Sequence, residues 1–269
     1  MESNQNLLKV KITGIFMLKR DKRVMSGKKG QVTIFIVIAL LIVGSVGLYY
    51  VLKNFKISDK KYPAELEPVN SFVMDCIKEV SEGGVIYVAD RGGYLYPPEF
   101  SSSKGVPYYY YSGKSYMPTQ KQVEDELANY INNELVLCVN NFVDFPDYMI
   151  KEGTPAAKVN IDDNEVIVDV IYPLSVKKGN VVFDFKEFNN VRIPTNLGLV
   201  YSAVGKVIEE QLTHEGICIT CILDIAQQYD LYMDMSDEDD GKTTVFVFRD
   251  ENSKINDEPL RYSFAGKYP

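Results

Sequence analysis

The sequence indicates an α+β protein, in which an N-terminal transmembrane helix precedes an extracytoplasmic domain of packed helices and an antiparallel sheet. Three observations support this: a long uncharged apolar segment, helical and strand periodicities without a regular strand–helix–strand rhythm, and a globular composition of 46% hydrophobic and 25% charged residues in 269. One histidine, His214, and no tryptophan leave little material for the commonest acid–base chemistry. We therefore expect a protein that is not an enzyme and uses no cofactor.

The first element is the apolar segment at residues 31–52, which carries no charge. Of its 22 residues, 14 are Leu, Ile, Val or Phe, and at about 1.5 Å per residue it is long enough to cross the roughly 30 Å hydrocarbon layer. A cleaved secretory peptide would have a shorter apolar stretch, and a buried core helix would show a polar stripe. We therefore expect a single-pass transmembrane helix that contacts the lipid bilayer.

Charge sets the expected orientation. Residues 1–30 form a basic leader with eight basic and two acidic residues, net +6, whereas the remainder has 21 basic and 35 acidic residues, net −14. Basic flanks stay in the cytoplasm, so the C-terminal domain is expected outside the cell membrane. Its acidity disfavours nucleic acid and leaves a protein or glycan at the cell surface as the expected partner.

Residues 28–35, Lys-Lys-Gly-Gln-Val-Thr-Ile-Phe, lead directly into the apolar segment. They resemble the leader of archaeal prepilin-like proteins, in which a membrane peptidase cuts after the glycine, and this implies processing between Gly30 and Gln31. Pilin subunits usually carry Glu at the fifth mature position, where this chain has Phe35. The resemblance therefore supports an archaeal surface protein more than a pilus subunit, and an uncleaved signal anchor is the alternative.

Five short segments of the outer region also stand out: Cys76-Ile77, Gly92-Gly93-Tyr94, Tyr108 to Tyr111, Cys218-Ile219-Thr220-Cys221 and Lys254-Ile255-Asn256. Together they resemble a family of membrane-anchored proteins from small-genome archaea. The resemblance implies a location at the membrane, but it brings no activity to this chain.

Residues 53–68 lack apolar periodicity, which predicts a stalk before a domain at 69–269. A helix is predicted from Val69 to a stop at Gly83-Gly84, because apolar residues recur at helical spacing. Residues 85–88 are predicted as a strand. Residues 92–118 are rich in Gly, Pro, Ser and Tyr and are predicted as a loop.

The second half of the domain mixes helices and hairpins. Thr119 as N-cap with Gln122 as its capping-box partner predicts a second helix. Period-two patterns predict hairpins that turn at residues 162–164 and 177–180. The remaining predicted elements are a helix from Thr195 to just before Gly216, a helix at 223–228 and strands at 231–235 and 243–249. A subdivision near 144–155 is the alternative to one domain.

Four cysteines outside the cytoplasm predict disulfide bonds, with three pairings open. Cys76 and Cys138 lie on the apolar faces of separate helices, so packing of those faces favours a structural bond between them over two buried thiols. Cys218 and Cys221 precede a short helix, an arrangement that redox proteins use to stabilise a thiolate. Here a structural bridge is favoured over a catalytic pair.

No metal site is expected. Four-cysteine zinc binding needs a second closely spaced pair, and Cys76 and Cys138 are isolated. The acidic segment 237–241 departs from EF-hand spacing and is interpreted as a solvated hairpin tip. His214 is interpreted as a capping residue at a helix end.

The Tyr-rich loop is the candidate binding surface, because loop tyrosines offer rigid contact area with a polar tip; the alternative is that they pack onto the sheet. Its candidate residues are Tyr94, Tyr96, Tyr108, Tyr109, Tyr110 and Tyr111. The sequence thus favours a membrane-anchored surface protein with a non-enzymatic binding or structural ectodomain. The alternatives are a pilin-like subunit processed after Gly30 and a thiol–disulfide oxidoreductase using Cys218 and Cys221.

Overall fold

The computed structural model describes residues 38, 40–44, 62–214 and 216–269. The leader at 1–30, with Gly30 and Gln31, lies outside these residues, and of the predicted span only 38 and 40–44 are described, as helix with exposed side chains. Over the described part of the chain, no helix has the length and apolar character that crossing a bilayer requires. The described residues divide into two units between residues 59 and 60, and the second unit includes residues 144–155.

The α+β composition, with packed helices and antiparallel strand pairs, is confirmed in the second unit. Its folded part begins earlier than predicted, since a 3-10 turn at Ala64–Leu66 leads into the first helix and Leu66 is fully buried. Tyr62 already packs against Phe185, with ring centroids 5.4 Å apart. The predicted stalk therefore overlaps the domain from residue 62 onward.

Helix α1, Glu67–Asp90, runs through Gly83 and Gly84 and includes residues 85–88. The predicted helix stop and strand are both wrong here. A Cβ at Gly84 would lie 2.8 Å from the side chains of Leu127 and Tyr130, so this glycine permits close helix contact and does not end the helix.

Helix α1 is closed at its C-terminus by Gly92 and Gly93, both with positive φ. The Gly93 N–H donates to the Val88 carbonyl at 2.8 Å and the Gly92 N–H donates to the Ala89 carbonyl at 3.0 Å. This pair of bonds is a Schellman motif, which satisfies the last carbonyls of the helix.

Helix α2, Gln120–Val139, begins with the predicted capping box. The Thr119 hydroxyl accepts from the Gln122 N–H, and the Gln122 side chain accepts from the Thr119 N–H at 2.7 Å. The predicted apolar stripe is buried at Val123, Leu127, Ile131 and Leu135. Cys138 at its end bonds Cys76 of α1, so the two helices are covalently joined.

One sheet is antiparallel throughout. Its long central strand β5, Glu165–Lys178, pairs on one edge with β3, Met149–Glu152, and β4, Ala156–Ile161. The other edge pairs with β6, Val181–Pro194. The turns fall at the two predicted places, between β4 and β5 and between β5 and β6.

Two helices follow this sheet: α3, Leu197–Gln211, and α4, Ile219–Gln228. Both were predicted, although α4 begins four residues earlier than its apolar pattern indicated. Cys218 occupies the N-cap of α4.

The other sheet has the order β2-β1-β9-β8-β7. The strands are β1 Tyr108–Tyr111, β2 Lys114–Ser115, β7 Tyr232–Asp237, β8 Thr243–Ile255 and β9 Glu258–Lys267. The hairpin of β7 and β8 was predicted, whereas β1 and β9 were not, and they pair in parallel. One continuous hydrophobic core contains buried side chains from both sheets and from helices α1 to α4.

Candidate functional site

The predicted tyrosine surface is mostly interior. Tyr109 is fully buried, Tyr110 is 2% exposed and Tyr108 is 8% exposed, so these three do not form a recognition surface. Tyr109 stacks on Phe264 with ring centroids 5.1 Å apart. Tyr110 stacks on Tyr268 at 4.9 Å. Consecutive aromatic side chains here fill both faces of a strand, which corrects the loop interpretation.

The other candidate tyrosines differ in their exposure. Tyr94 and Tyr111 are half-buried, and burial raises the pKa of Tyr94. Tyr96 is 69% exposed and is the member of the predicted set that faces solvent most fully. It lines a depression of about 340 Å³ together with Tyr87, Tyr130, Asn133 and Glu134.

This depression belongs to a larger aromatic groove, which we define as the three adjoining depressions that share Tyr130. The other two have volumes of about 340 and 410 Å³ and share Gly83. Tyr130 lies against α1 because Gly83 and Gly84 present no side chain to it: a Cβ at Gly83 would be 3.5 Å from its hydroxyl. The glycine pair therefore forms part of the floor of the groove.

Two aromatic rings and several polar groups line the groove. The rings of Tyr87 and Tyr130 lie 5.2 Å apart at an angle of 38°. The Arg91 guanidinium lies 3.5 Å from the Tyr87 ring centroid and donates to the Tyr87 carbonyl at 3.2 Å. Burial raises the pKa of Tyr130 and the Glu134 carboxylate raises it further, so its hydroxyl stays protonated.

Sequence reasoning did not identify Tyr87, Arg91 and Tyr130. Tyr87 and Arg91 are four residues apart, which places their side chains together on a helix. The prediction of residues 85–88 as a strand hides this helical spacing.

The second candidate feature is the turn at Cys218 and Cys221, which are bonded in the structure with Cα atoms 5.3 Å apart. Both residues are half-buried, and the Cys221 N–H donates to the Cys218 sulfur at 3.3 Å. The Gln211 side-chain oxygen accepts from the Cys218 N–H at 3.4 Å and from the Tyr268 hydroxyl at 3.2 Å. The turn is thereby connected to the aromatic core around Tyr110.

His214 lies beside this turn. One of its ring nitrogens and the sulfurs of Cys218 and Cys221 lie within 4.8 Å of one another. Nδ1 is 2.9 Å from the Glu210 carbonyl, which agrees with the predicted capping position. Its proximity to the cysteines was not predicted, because no local sequence pattern places a histidine after one helix beside the N-cap of the next.

In the acidic segment 237–241, Asp237 and Asp240 bond within the hairpin. Glu238 is only 7% exposed and accepts from the N–H and the hydroxyl of Ser103 at 3.2 and 2.8 Å, which corrects the interpretation of the whole segment as a solvated tip. Asp240 accepts from the N–H groups of Lys242 and Thr243 at 2.9 and 2.7 Å, and the Lys267 ammonium is 3.1 Å away. Asp237 accepts from the Thr244 hydroxyl at 2.7 Å. These bonds stabilise the hairpin.

Comparisons with protein-family models, with curated proteins and with solved structures found no match.

Proposed function

We propose that this chain is a single-pass, membrane-anchored surface protein whose ectodomain binds a neutral glycan in the aromatic groove and performs no chemistry on it. The observation that carries the glycan proposal is the pair of Tyr87 and Tyr130 rings among polar side chains. Ligand sites typically combine aromatic walls with a few placed polar groups. Tyr96 at one end extends the aromatic surface.

The polar groups favour a neutral, hydroxyl-rich ligand. The groove offers both signs of charge, since Asp90 lies 3.6 Å from Arg261 and Glu134 lies near Tyr130. Carboxylates, guanidinium groups and the Asn133 amide all bond well to hydroxyl groups. An anionic ligand would meet the net negative charge of the outer domain.

Binding is tested with the full chain in detergent micelles, immobilised and titrated with a panel of neutral oligosaccharides. Tyr87→Ala and Tyr96→Ala should each weaken binding by about tenfold, equivalent to about 1.4 kcal/mol, because each removes a ring from the groove wall. Tyr116→Ala is the matched control, since Tyr116 is 44% exposed, packs on Phe100 and does not line the groove. Equal affinity in all three variants, or no binding by the wild type, would refute the glycan proposal.

The membrane anchor is supported by the uncharged segment 31–52 and by the opposite charges on its two sides. Protease added outside intact cells should remove the outer domain; full protection of that domain would contradict the proposed topology. The intact mass of the mature protein tests separately whether the leader is removed. A mature chain that begins at Gln31 would support the pilin-like alternative, whereas retention of residues 1–30 would support an uncleaved anchor.

A second function, extracytoplasmic thiol–disulfide exchange by Cys218 and Cys221, is favoured by the proximity of His214. A neighbouring histidine can accept the proton of a thiol and so favours the attacking thiolate. The full chain should then accelerate insulin reduction by a dithiol, and Cys218→Ser should abolish the acceleration. Identical rates in the presence of the wild type and of Cys218→Ser would exclude this function.

A further inference from the structure

We propose that His214, Cys218 and Cys221 bind one zinc ion when the bond between the two cysteines is reduced. Within the part of the chain that the structure describes, these residues form the single group of three or more His, Cys, Asp or Glu side chains whose ligand atoms converge. The site would have three protein ligands and one open position.

The distances suit zinc. Two sulfurs bound at about 2.3 Å to a tetrahedral zinc ion are about 3.8 Å apart, and a Cys-x-x-Cys segment is the commonest way to supply them. The Cα atoms of Cys218 and Cys221 are already 5.3 Å apart, and the three ligand atoms lie within 4.8 Å. Reduction would release the two sulfurs from their bond, so that all three ligand atoms could approach one ion.

A hydrogen bond orients the His214 ring, as is usual for a metal-binding histidine. Nδ1 lies 2.9 Å from the Glu210 carbonyl, to which the Thr213 hydroxyl also donates at 2.8 Å. A carbonyl can only accept, so Nδ1 donates its proton to it, and the proposal assigns metal binding to the other ring nitrogen, Nε2; such an outer contact is one that metal-binding histidines commonly make. This contact is independent of the clustering of the ligand atoms.

The surroundings of Cys218 and Cys221 also favour the thiolate form of the reduced cysteines. Cys218 is the N-cap of the ten-residue helix α4, where the helix dipole favours negative charge, and its sulfur already accepts the Cys221 N–H. His214 is exposed and both cysteines are half-buried, so an ion has access from solvent. Two thiolates also balance the charge of Zn²⁺.

The chemistry has two steps. A dithiol reductant gives two electrons and two protons to the bond between Cys218 and Cys221, and it becomes a disulfide itself. Zn²⁺ then displaces both thiol protons to solvent and binds the two sulfurs and the imidazole nitrogen. Oxidation of the pair would remove both sulfur ligands, so metal binding would report the redox state of this turn.

The experiment uses the full chain in detergent, with Co²⁺ as the spectroscopic substitute for Zn²⁺. After reduction, about one Co²⁺ per chain should bind, with thiolate-to-cobalt charge-transfer absorption that Zn²⁺ abolishes. The unreduced protein should show no such absorption. Zn²⁺ should also protect Cys218 and Cys221 from alkylation, as mapped by mass spectrometry.

Variants separate this site from the other thiols. His214→Ala should weaken Co²⁺ binding by at least about tenfold, since it removes one ligand while the exposed position leaves the fold intact. Cys76→Ala/Cys138→Ala should keep the absorption, whereas Cys218→Ser/Cys221→Ser should lose it. Equal affinity in wild type and His214→Ala, or protection of Cys76 and Cys138 in place of the predicted pair, would overturn the proposal.

Discussion

The hydroxyl oxygens of Tyr109 on β1 and Tyr262 on β9 lie 2.7 Å apart in the core. The Tyr109 hydroxyl is also 2.9 Å from the Gly92 carbonyl, which can only accept, so Tyr109 donates to Gly92 and Tyr262 donates to Tyr109. Burial raises the pKa of both tyrosines, which keeps both protons in place. A chain of two hydrogen bonds therefore joins the end of α1 to two strands.

The direction of this chain predicts unequal effects of removing the two hydroxyl groups. Tyr109→Phe leaves both the Tyr262 donor and the Gly92 acceptor without this partner and should lower the free energy of unfolding by about 2–4 kcal/mol. Tyr262→Phe keeps the bond to Gly92 and should cost about 1 kcal/mol. Denaturant unfolding measures both, and a larger cost for Tyr262→Phe would contradict the donor assignment.

Gly92 is predicted to be required for more than its positive φ. A Cβ there would lie 2.5 Å from the Ser263 carbonyl oxygen. Gly179 has the same φ of 58° but no atom within 4 Å of its Cβ position, so it is the matched control. Gly179→Ala should lower stability by about 1–2 kcal/mol and Gly92→Ala by about 1–3 kcal/mol more, measured by denaturant unfolding. Equal costs would show that the close approach to β9 contributes nothing.

The two disulfides should differ in their effect on stability. Cys76 and Cys138 are 62 residues apart, so on the chain-entropy model their bond stabilises the domain by about 4 kcal/mol. Cys218 and Cys221 are three residues apart, and the same model gives about 2 kcal/mol. Thermal unfolding of the two double-alanine variants should therefore show the larger loss for Cys76→Ala/Cys138→Ala. The reverse order would contradict this prediction.

Asp240 should stabilise the β7–β8 hairpin in a pH-dependent way. Hydrogen bonds from the N–H groups of Lys242 and Thr243 and from the Thr243 hydroxyl hold the pKa of Asp240 well below its ordinary value of 3.8. A lowered pKa in the folded state gives a contribution that is complete above 3.8 and is lost as pH falls further. Asp240→Asn should therefore be less stable than wild type at pH 7, with a difference that shrinks toward about pH 2. A difference that is constant with pH would rule this out.

Local signals predicted much of the fold. The capping box at Thr119, the turn at residues 162–164 and the apolar stripe of α2 depend on neighbours within a few positions, and each is present in the structure. Strand β9 carries an apolar residue at every second position, at Leu260, Tyr262 and Phe264, and all three are buried. A search for this period-two pattern would have predicted the strand as well.

Long-range contacts explain the errors. Glycine commonly follows the end of a helix, so the pair at Gly83 and Gly84 predicted a helix end. In the structure both glycines lie opposite Tyr130, which is 46 or more positions away in the chain. A contact between two helices at that separation leaves no local sequence signal. Whether a tyrosine lies in the core or in a groove depends on which strand or helix faces it. For the same reason, sequence analysis identified Tyr96 of the groove as a candidate residue but did not identify Tyr87 or Tyr130.

The position of β9 also has a consequence for biogenesis. Among the described residues it is the last strand in chain order, yet it is the central strand of its sheet, and its contact between Tyr262 and Tyr109 spans 153 residues. The sheet thus cannot close until the ribosome has passed residue 267, and earlier segments must wait for their partner. In a protein with the proposed topology, this sheet would therefore close on the outer side of the membrane.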